Sequence, residues 1–260
     1  MPFEFYFFLG AAFVLGTVIG SFLNVCIYRI PAGKSIVSPP SACPHCGHHI
    51  RWFQNIPILS YLFLGGKCAA CRARISLRYP AIEALTGLLF ALVLYYFSFS
   101  AVTIVYWVFI ASLVTITFID LDHQIIPDVI SLPGILVGFI CSFFVPWLSW
   151  SDSLLGILVG GGILLAIAWF YELLTKRAGM GGGDIKLLGM LGAFLGWKAV
   201  LPIVFVASLA GSLVGVPLML LQKKDAKLAI PFGPFLAFAA TVYLFWGRDL
   251  VYWYLSLLGS

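Results

Sequence analysis

The sequence predicts an all-α polytopic membrane protein of about eight transmembrane helices. Three observations carry this prediction. Of the 260 residues, 62% are hydrophobic and 10% charged, where an ordinary soluble domain has roughly 25% charged. The mean hydropathy is +1.06. The apolar residues are gathered into eight runs, 6–28, 81–98, 101–119, 129–149, 153–174, 185–197, 199–221 and 231–247, and a bilayer-crossing helix takes about 20 residues. A soluble enzyme on a single anchor does not have this pattern.

The charges orient the runs. If each run crosses, 29–80, 120–128, 175–184 and 222–230 share one side. With Lys186, those stretches hold 13 of the 15 Lys and Arg, leaving Lys198 and Arg248 opposite. The positive-inside rule assigns the basic side to the cytoplasm and both chain ends to the other side. The Met1 end lacks the basic n-region of a cleavable signal, so the first run is expected to stay as a helix. The expected division is a first transmembrane helix at 1–29, a cytoplasmic loop at 30–80 and a transmembrane core at 81–260.

In the first run, Gly16 and Gly20 form a small-xxx-small face for close helix packing, and Asn24 is expected to make an interhelical hydrogen bond. Arg29 is placed to snorkel to the interface. The loop holds Cys43-Pro44-His45-Cys46 and Cys68-Ala69-Ala70-Cys71, with 21 residues between the pairs. One such pair alone could be redox-active. Two at this spacing suit a tetrahedral four-thiolate zinc site, with Cys43, Cys46, Cys68 and Cys71 as ligands. Cys26 and Cys141 lie in apolar runs and read as small buried hydrophobes. The aromatic stretch 51–66 is broken by Pro57 and too short to span. It is expected to pack on the bundle or lie at the headgroup layer, with a substrate groove as the sharper alternative.

The second run opens at Arg78-Tyr79-Pro80, with Pro where a helix start tolerates it. Glu83 follows and is expected to serve the helix dipole or pair with a loop arginine rather than join a site. The sixth run is short, which suggests half of a broken helix or local bilayer thinning. Gly156/Gly160, Gly192/Gly196 and Gly211/Gly215 repeat the packing spacing of the first run.

Two carboxylates stand apart from these structural readings. Asp120 ends the third apolar run in Ile119-Asp120-Leu121-Asp122-His123, and a negative charge at a helix C-terminus is unfavourable unless something offsets it. Asp184 follows the glycine-rich stretch Gly179-Met180-Gly181-Gly182-Gly183, 64 positions later. Carboxylates at a membrane edge are functional suspects by default. Asp128 reads as a helix-start residue and Asp122 as a cap or loop residue. Two aspartates brought together would share one proton and could activate water. A proton- or cation-coupled transporter would also use intramembrane carboxylates, but near mid-membrane rather than at one edge. A zinc-bearing membrane scaffold would explain the cysteines but not the paired aspartates.

Taken in order, Gly20-Ser21-Phe22-Leu23-Asn24, the two Cys pairs, Arg78-Tyr79-Pro80, Asp120 in its Ile-Asp-x-Asp-His setting, Gly179 to Lys186 and Ile230-Pro231-Phe232-Gly233-Pro234 resemble the type IV prepilin peptidase family. These are membrane aspartic proteases of the GxGD type. The resemblance covers nearly the whole chain. It implies a bifunctional inner-membrane enzyme with its active site facing the cytoplasm. Such an enzyme cuts the basic leader from prepilins or pseudopilins, then N-methylates the new N-terminus, typically Phe, with S-adenosylmethionine. Asp120 and Asp184 match the family's catalytic pair, and the four cysteines its metal ligands. The methylation step is linked in the family to the cytoplasmic loop, here including Gly65-Gly66-Lys67. The expected partners are those substrates and membrane lipid, with no nucleic acid.

Overall fold

The computed structural model describes residues 3–176, 181–222 and 231–257. Gly179 and Met180 of the glycine-rich stretch, the basic turn 223–227 and Ile230 lie outside them. Among the described residues the chain is helical, with two isolated β-bridges and no strand. Each of the eight apolar runs holds a helix: α1 (Phe3–Arg29), α3 (Arg78–Phe97), α4 (Ala101–His123), α5 (Asp128–Cys141), α6 (Trp150–Thr175), α7 (Gly182–Leu195), α8 (Trp197–Gln222) and α9 (Gly233–Leu257). The ninth helix, α2 (Leu59–Phe63), is a short one within the loop. Five of them, α1, α3, α4, α6 and α8, are long and apolar enough to cross a membrane, while α5 and the 233–247 part of α9 are shorter apolar helices. The chain divides within α4 into two compact units, Met1–Thr115 and Ile116–Ser260.

In the first unit, α1 packs antiparallel on α3. Gly16 lies against the backbone of Gly87, Gly20 against Glu83, and Asn24 against Tyr79. A Cβ at Gly16 would come within 2.7 Å of the Gly87 Cα, so the small-xxx-small spacing here sets backbone-to-backbone contact. Asn24 makes the expected interhelical bond, donating to Tyr79 O at 3.2 Å. The start of α4 joins α3 through Trp107, which stacks on Phe90 with ring centroids 5.2 Å apart and donates to Phe90 O at 3.0 Å.

Two helix residues, Arg29 of α1 and Glu83 of α3, hold the backbone of the loop between them. Arg29, the last residue of α1, donates to Ser35 O at 2.9 Å and Pro39 O at 2.7 Å, folding the chain back just after the helix. Glu83 is buried and accepts the Ile58 N–H at 2.7 Å, so it tethers the loop backbone instead of serving the helix dipole. The stretch 51–66 forms a 3-10 turn (Trp52–Asn55) and α2. Ser60 packs inward, while Trp52 and Phe63 remain exposed.

In the second unit α7 is the centre. Leu187 to Phe194 are all buried. At about 1.5 Å per residue, its 14 residues make a helix of roughly 21 Å, against a hydrocarbon thickness near 30 Å. Neighbouring helices cover it, so it does not need the length of a lipid-facing span. It runs antiparallel to α6, meeting it at Gly156–Gly192 and Gly160–Leu188. It runs parallel to α5, meeting it at Gly134–Met190 and Gly138–Phe194. Ser153 adds a bond to Ala193 O at 2.8 Å. The Gly211/Gly215 pair carries no such tight contact at Gly211, where an added Cβ would find only ordinary distance to Phe235.

Candidate active site and metal centre

The four loop cysteines come together in the first unit. Their Sγ atoms all lie within 4.8 Å of one another, and those of Cys43 and Cys71 are 3.8 Å apart. All six cysteines of the chain are free thiols. One local design, used twice, builds the cluster. The Cys43 N–H donates to His48 O at 2.9 Å, and the Gly47 N–H to Cys43 O at 2.9 Å. The Cys68 N–H donates to Ala73 O at 2.8 Å, and the Arg72 N–H to Cys68 O at 3.1 Å. A β-bridge closes each knuckle, Ala42 with His49 and Lys67 with Arg74. Each turns on a left-handed residue just after its second cysteine, Gly47 at φ +70° and Arg72 at φ +59°. Glycine adopts that conformation freely, whereas Arg72 has to be held in it.

The electrostatics of the cluster call for a cation. Backbone N–H groups of Cys71 and Ala70 pull the Cys68 thiol down to about 6. The Cys71 thiol receives the Ala73 N–H, yet desolvation and the three neighbouring thiols push it up to about 11. Four sulfurs this close cannot all ionise unless a positive ion sits among them. Four thiolates converging from two tight turns match the tetrahedral sulfur shell that zinc takes in structural sites.

The second unit brings the two singled-out aspartates to one end of its helices. Asp120 lies in the last turn of α4 and Asp184 in the first turn of α7, so both lie at helix ends. Asp120 is 5% exposed. Asp184 lies close enough to Asp120 to feel its charge, so the 63 residues between them return Asp184 to the neighbourhood of Asp120. Asp184 has the partial positive charge of the α7 N-terminus beside it, whereas Asp120 faces the unfavourable end of α4.

What offsets that cost at Asp120 is a group that sequence reasoning passed over. The Gly233 N–H, at the first turn of α9, donates to Asp120 Oδ2 at 3.0 Å. A Cβ at position 233 would fall 2.6 Å from that same oxygen, so the approach requires glycine. Its only sequence signal was the Pro-Phe-Gly-Pro start of the last run, which reads equally well as a helix opening. Ile126 packs against both Gly183 and Gly233 and so spaces the N-termini of α7 and α9 around Asp120.

The neighbouring acids have other roles. Asp128 starts α5 as expected and forms an ion pair with Lys186, both carboxylate oxygens lying 2.7 Å from Nζ. Asp122 is exposed on the last turn of α4. The arrangement therefore supplies two interacting carboxylates, one fixed by a backbone donor, with a neutralised ion pair nearby. That is the donor set for activating a water and protonating a leaving group.

Comparison with known proteins covers both units. Residues 14–97 match the family described as Bacterial Peptidase A24 N-terminal domain, and residues 107–216 the Type IV leader peptidase family. A prepilin leader peptidase/N-methyltransferase from Pseudomonas aeruginosa is 38% identical over 95% of this chain and 93% of its own length. One from Stutzerimonas stutzeri is 39% identical over 96% of this chain and 94% of its own. One from Neisseria gonorrhoeae is 37% identical over 94% of both. No solved structure matches significantly.

Proposed function

The chain belongs to the type IV leader peptidase family, and from that premise we propose that it removes the basic leader from prepilins or pseudopilins by an aspartate-pair mechanism and then N-methylates the trimmed chain. It is an enzyme, a protease with methyltransferase activity, as its family and the names of its relatives indicate. Asp120 and Asp184 do the cutting in this reading. The observation that supports it is the meeting of helix ends around the two residues: Ile126 packs against Gly183, next to Asp184, and against Gly233, whose N–H binds Asp120 at 3.0 Å.

Two carboxylates that repel each other hold one proton between them. The ionised member takes a proton from a water, whose oxygen bonds to the scissile carbonyl carbon. The protonated member polarises the carbonyl oxygen and then protonates the departing nitrogen as the carbon–nitrogen bond breaks. No covalent enzyme intermediate is required. Gly233 orients Asp120 through its N–H and keeps the carboxylate from turning away. The four cysteines would hold a zinc ion, which would cross-link the loop rather than take part in the cutting.

S-adenosylmethionine is the methyl donor in this reading, and the new N-terminal amine, typically that of Phe, is the acceptor. The site faces the cytoplasm of the bacterial inner membrane, as the distribution of 13 of 15 Lys and Arg supports. The loop at 30–80 serves as a separate zinc-bearing segment and 81–260 as the peptidase core. The test is incubation of the purified protein with a prepilin and S-adenosylmethionine, with intact mass measured over time. Loss of the leader followed by gain of one methyl group is expected. An unchanged prepilin mass would overturn the proposal.

A further inference from the structure

The aspartate pair accounts for cutting but offers nothing for methyl transfer. The first unit contains a cavity of about 570 Å³, within the range of small-molecule sites. It lies between the inner part of α1, the cysteine loop and the start of α3, and Glu83 lines it. Glu83 is 8% exposed. It accepts the Ile58 N–H at 2.7 Å, with the Ser21 hydroxyl beside it, and neither carries a charge. Of the two arginines on the cavity wall, Arg29 is committed to the carbonyls of Ser35 and Pro39, and Arg74 is exposed.

A buried carboxylate with only neutral partners is costly, and a cation beside it would offset that cost. The donor arm of this contact is itself strained. Ile58 has φ +60° and ψ −51°, a conformation that β-branched residues rarely adopt. Strain of this kind persists where the surroundings enforce it, often at ligand sites. Tyr61 and Tyr79 also line the cavity, and aromatic faces favour both onium groups and a planar base.

We propose that this cavity binds an onium ligand of the methyl-transfer reaction, with Glu83 as its counter-charge. The ligand is the sulfonium of the methyl donor or the ammonium of the trimmed chain. The inference rests on the methyltransferase reading above. In the transfer, the neutral amine's lone pair bonds to the methyl carbon. The carbon–sulfur bond breaks with its electron pair left on sulfur, and the nitrogen gives up a proton to solvent water. The donor thereby changes from sulfonium to neutral thioether. A site built around Glu83 holds the donor before transfer and releases it after. Arg74 is placed to meet the donor's carboxylate.

The experiment is direct binding to the full-length protein in detergent or nanodiscs. The probes are S-adenosylmethionine, its neutral product S-adenosylhomocysteine, and a peptide with the trimmed pilin N-terminus. If the sulfonium is the ligand, the wild type binds S-adenosylmethionine about tenfold tighter than the product, and Glu83→Gln abolishes that preference while leaving product affinity unchanged. Glu83→Asp keeps part of the preference, which separates charge from fold. If the ammonium is the ligand, Glu83→Gln weakens the peptide instead. Unchanged affinities for all three probes in Glu83→Gln overturn the proposal. Photolabelling of the wild-type protein with radioactive S-adenosylmethionine gives a readout independent of any variant. A sulfonium ligand places the label within 21–29 or 41–83, and label found only beyond residue 115 overturns the assignment. If the wild type methylates a trimmed pilin while no affinity depends on Glu83, the site is wrong and the methyltransferase reading stands. If it binds no donor and transfers no methyl, both fall.

Discussion

The cysteine cluster and the aspartate pair are built in opposite ways. The cysteines converge because each knuckle folds on itself, through hydrogen bonds spanning five residues and a bridge spanning seven. The aspartates converge because three helix ends from distant parts of the chain meet: the last turn of α4 and the first turns of α7 and α9. A locally built site depends on what binds it. A site built from helix ends depends on the packing of the helices behind it. The two regions should therefore fail under different perturbations.

The largest expected effect is on the local site. Replacing both Cys43 and Cys46 by Ser removes half the ligands, and structural zinc contributes on the order of 10 kcal/mol to the order of small metal-bound segments. Metal analysis should fall from about one zinc per chain to near zero. Limited proteolysis should then cut within 30–77 while the core helices stay intact. Retained zinc in the double variant would argue against this ligand set. Next comes the hinge of the second site. Gly233→Ala places a methyl 2.6 Å from Asp120 Oδ2. Misplacing a reacting group by an ångström costs roughly a hundredfold in rate, so leader cleavage should drop by about that factor with zinc content unchanged. Wild-type cleavage by Gly233→Ala would mean that Asp120 does not depend on this donor.

The same contrast explains what could be read from the sequence. Two Cys-x-x-Cys pairs announce themselves because the ligands of each knuckle are three residues apart. The apolar runs likewise mark helices, since a membrane demands length and hydrophobicity that no other element needs. The contact of Gly233 with Asp120 spans 113 residues and has no local signature. Glu83 was misread for a similar reason. Its place in the first turns of α3 suggested a dipole role, and only the fold-back of the loop at Ile58 gives it another partner. The helix ends also shifted: α5 stops at Cys141 and α6 begins at Trp150, because 142–149 turns back on itself instead of completing a span.

Smaller effects test the packing behind the aspartates. Gly192→Leu forces a side chain into the backbone of Gly156. Overpacking of this kind costs about 1–3 kcal/mol, which should lower the thermal aggregation temperature in detergent and reduce cleavage only through lost folded protein. An unchanged melting profile would count against the α6–α7 contact. The smallest effect is expected at Asp128. Its pairing with Lys186 is solvent-accessible on both sides, with side chains 56% and 37% exposed, and exposed pairs contribute about 1 kcal/mol or less. Asp128 is the first residue of α5, whose N-cap is Pro127, so the change removes no cap and Asp128→Asn should retain substantial cleavage in the same assay. Loss of cleavage there would promote Asp128 from the surroundings of the site into its chemistry.

The most direct measurement compares Asp120→Asn and Asp184→Asn with the wild type on two substrates, an intact prepilin and a pilin already trimmed. Asn preserves shape but can neither accept the water proton as a base nor donate a carboxylic proton. Monodispersity in detergent and zinc content check that each variant is folded. Both variants are predicted to leave the prepilin uncut while still methylating the trimmed pilin, because the second reaction does not draw on these carboxylates. Full leader removal by Asp184→Asn would contradict the aspartate-pair mechanism.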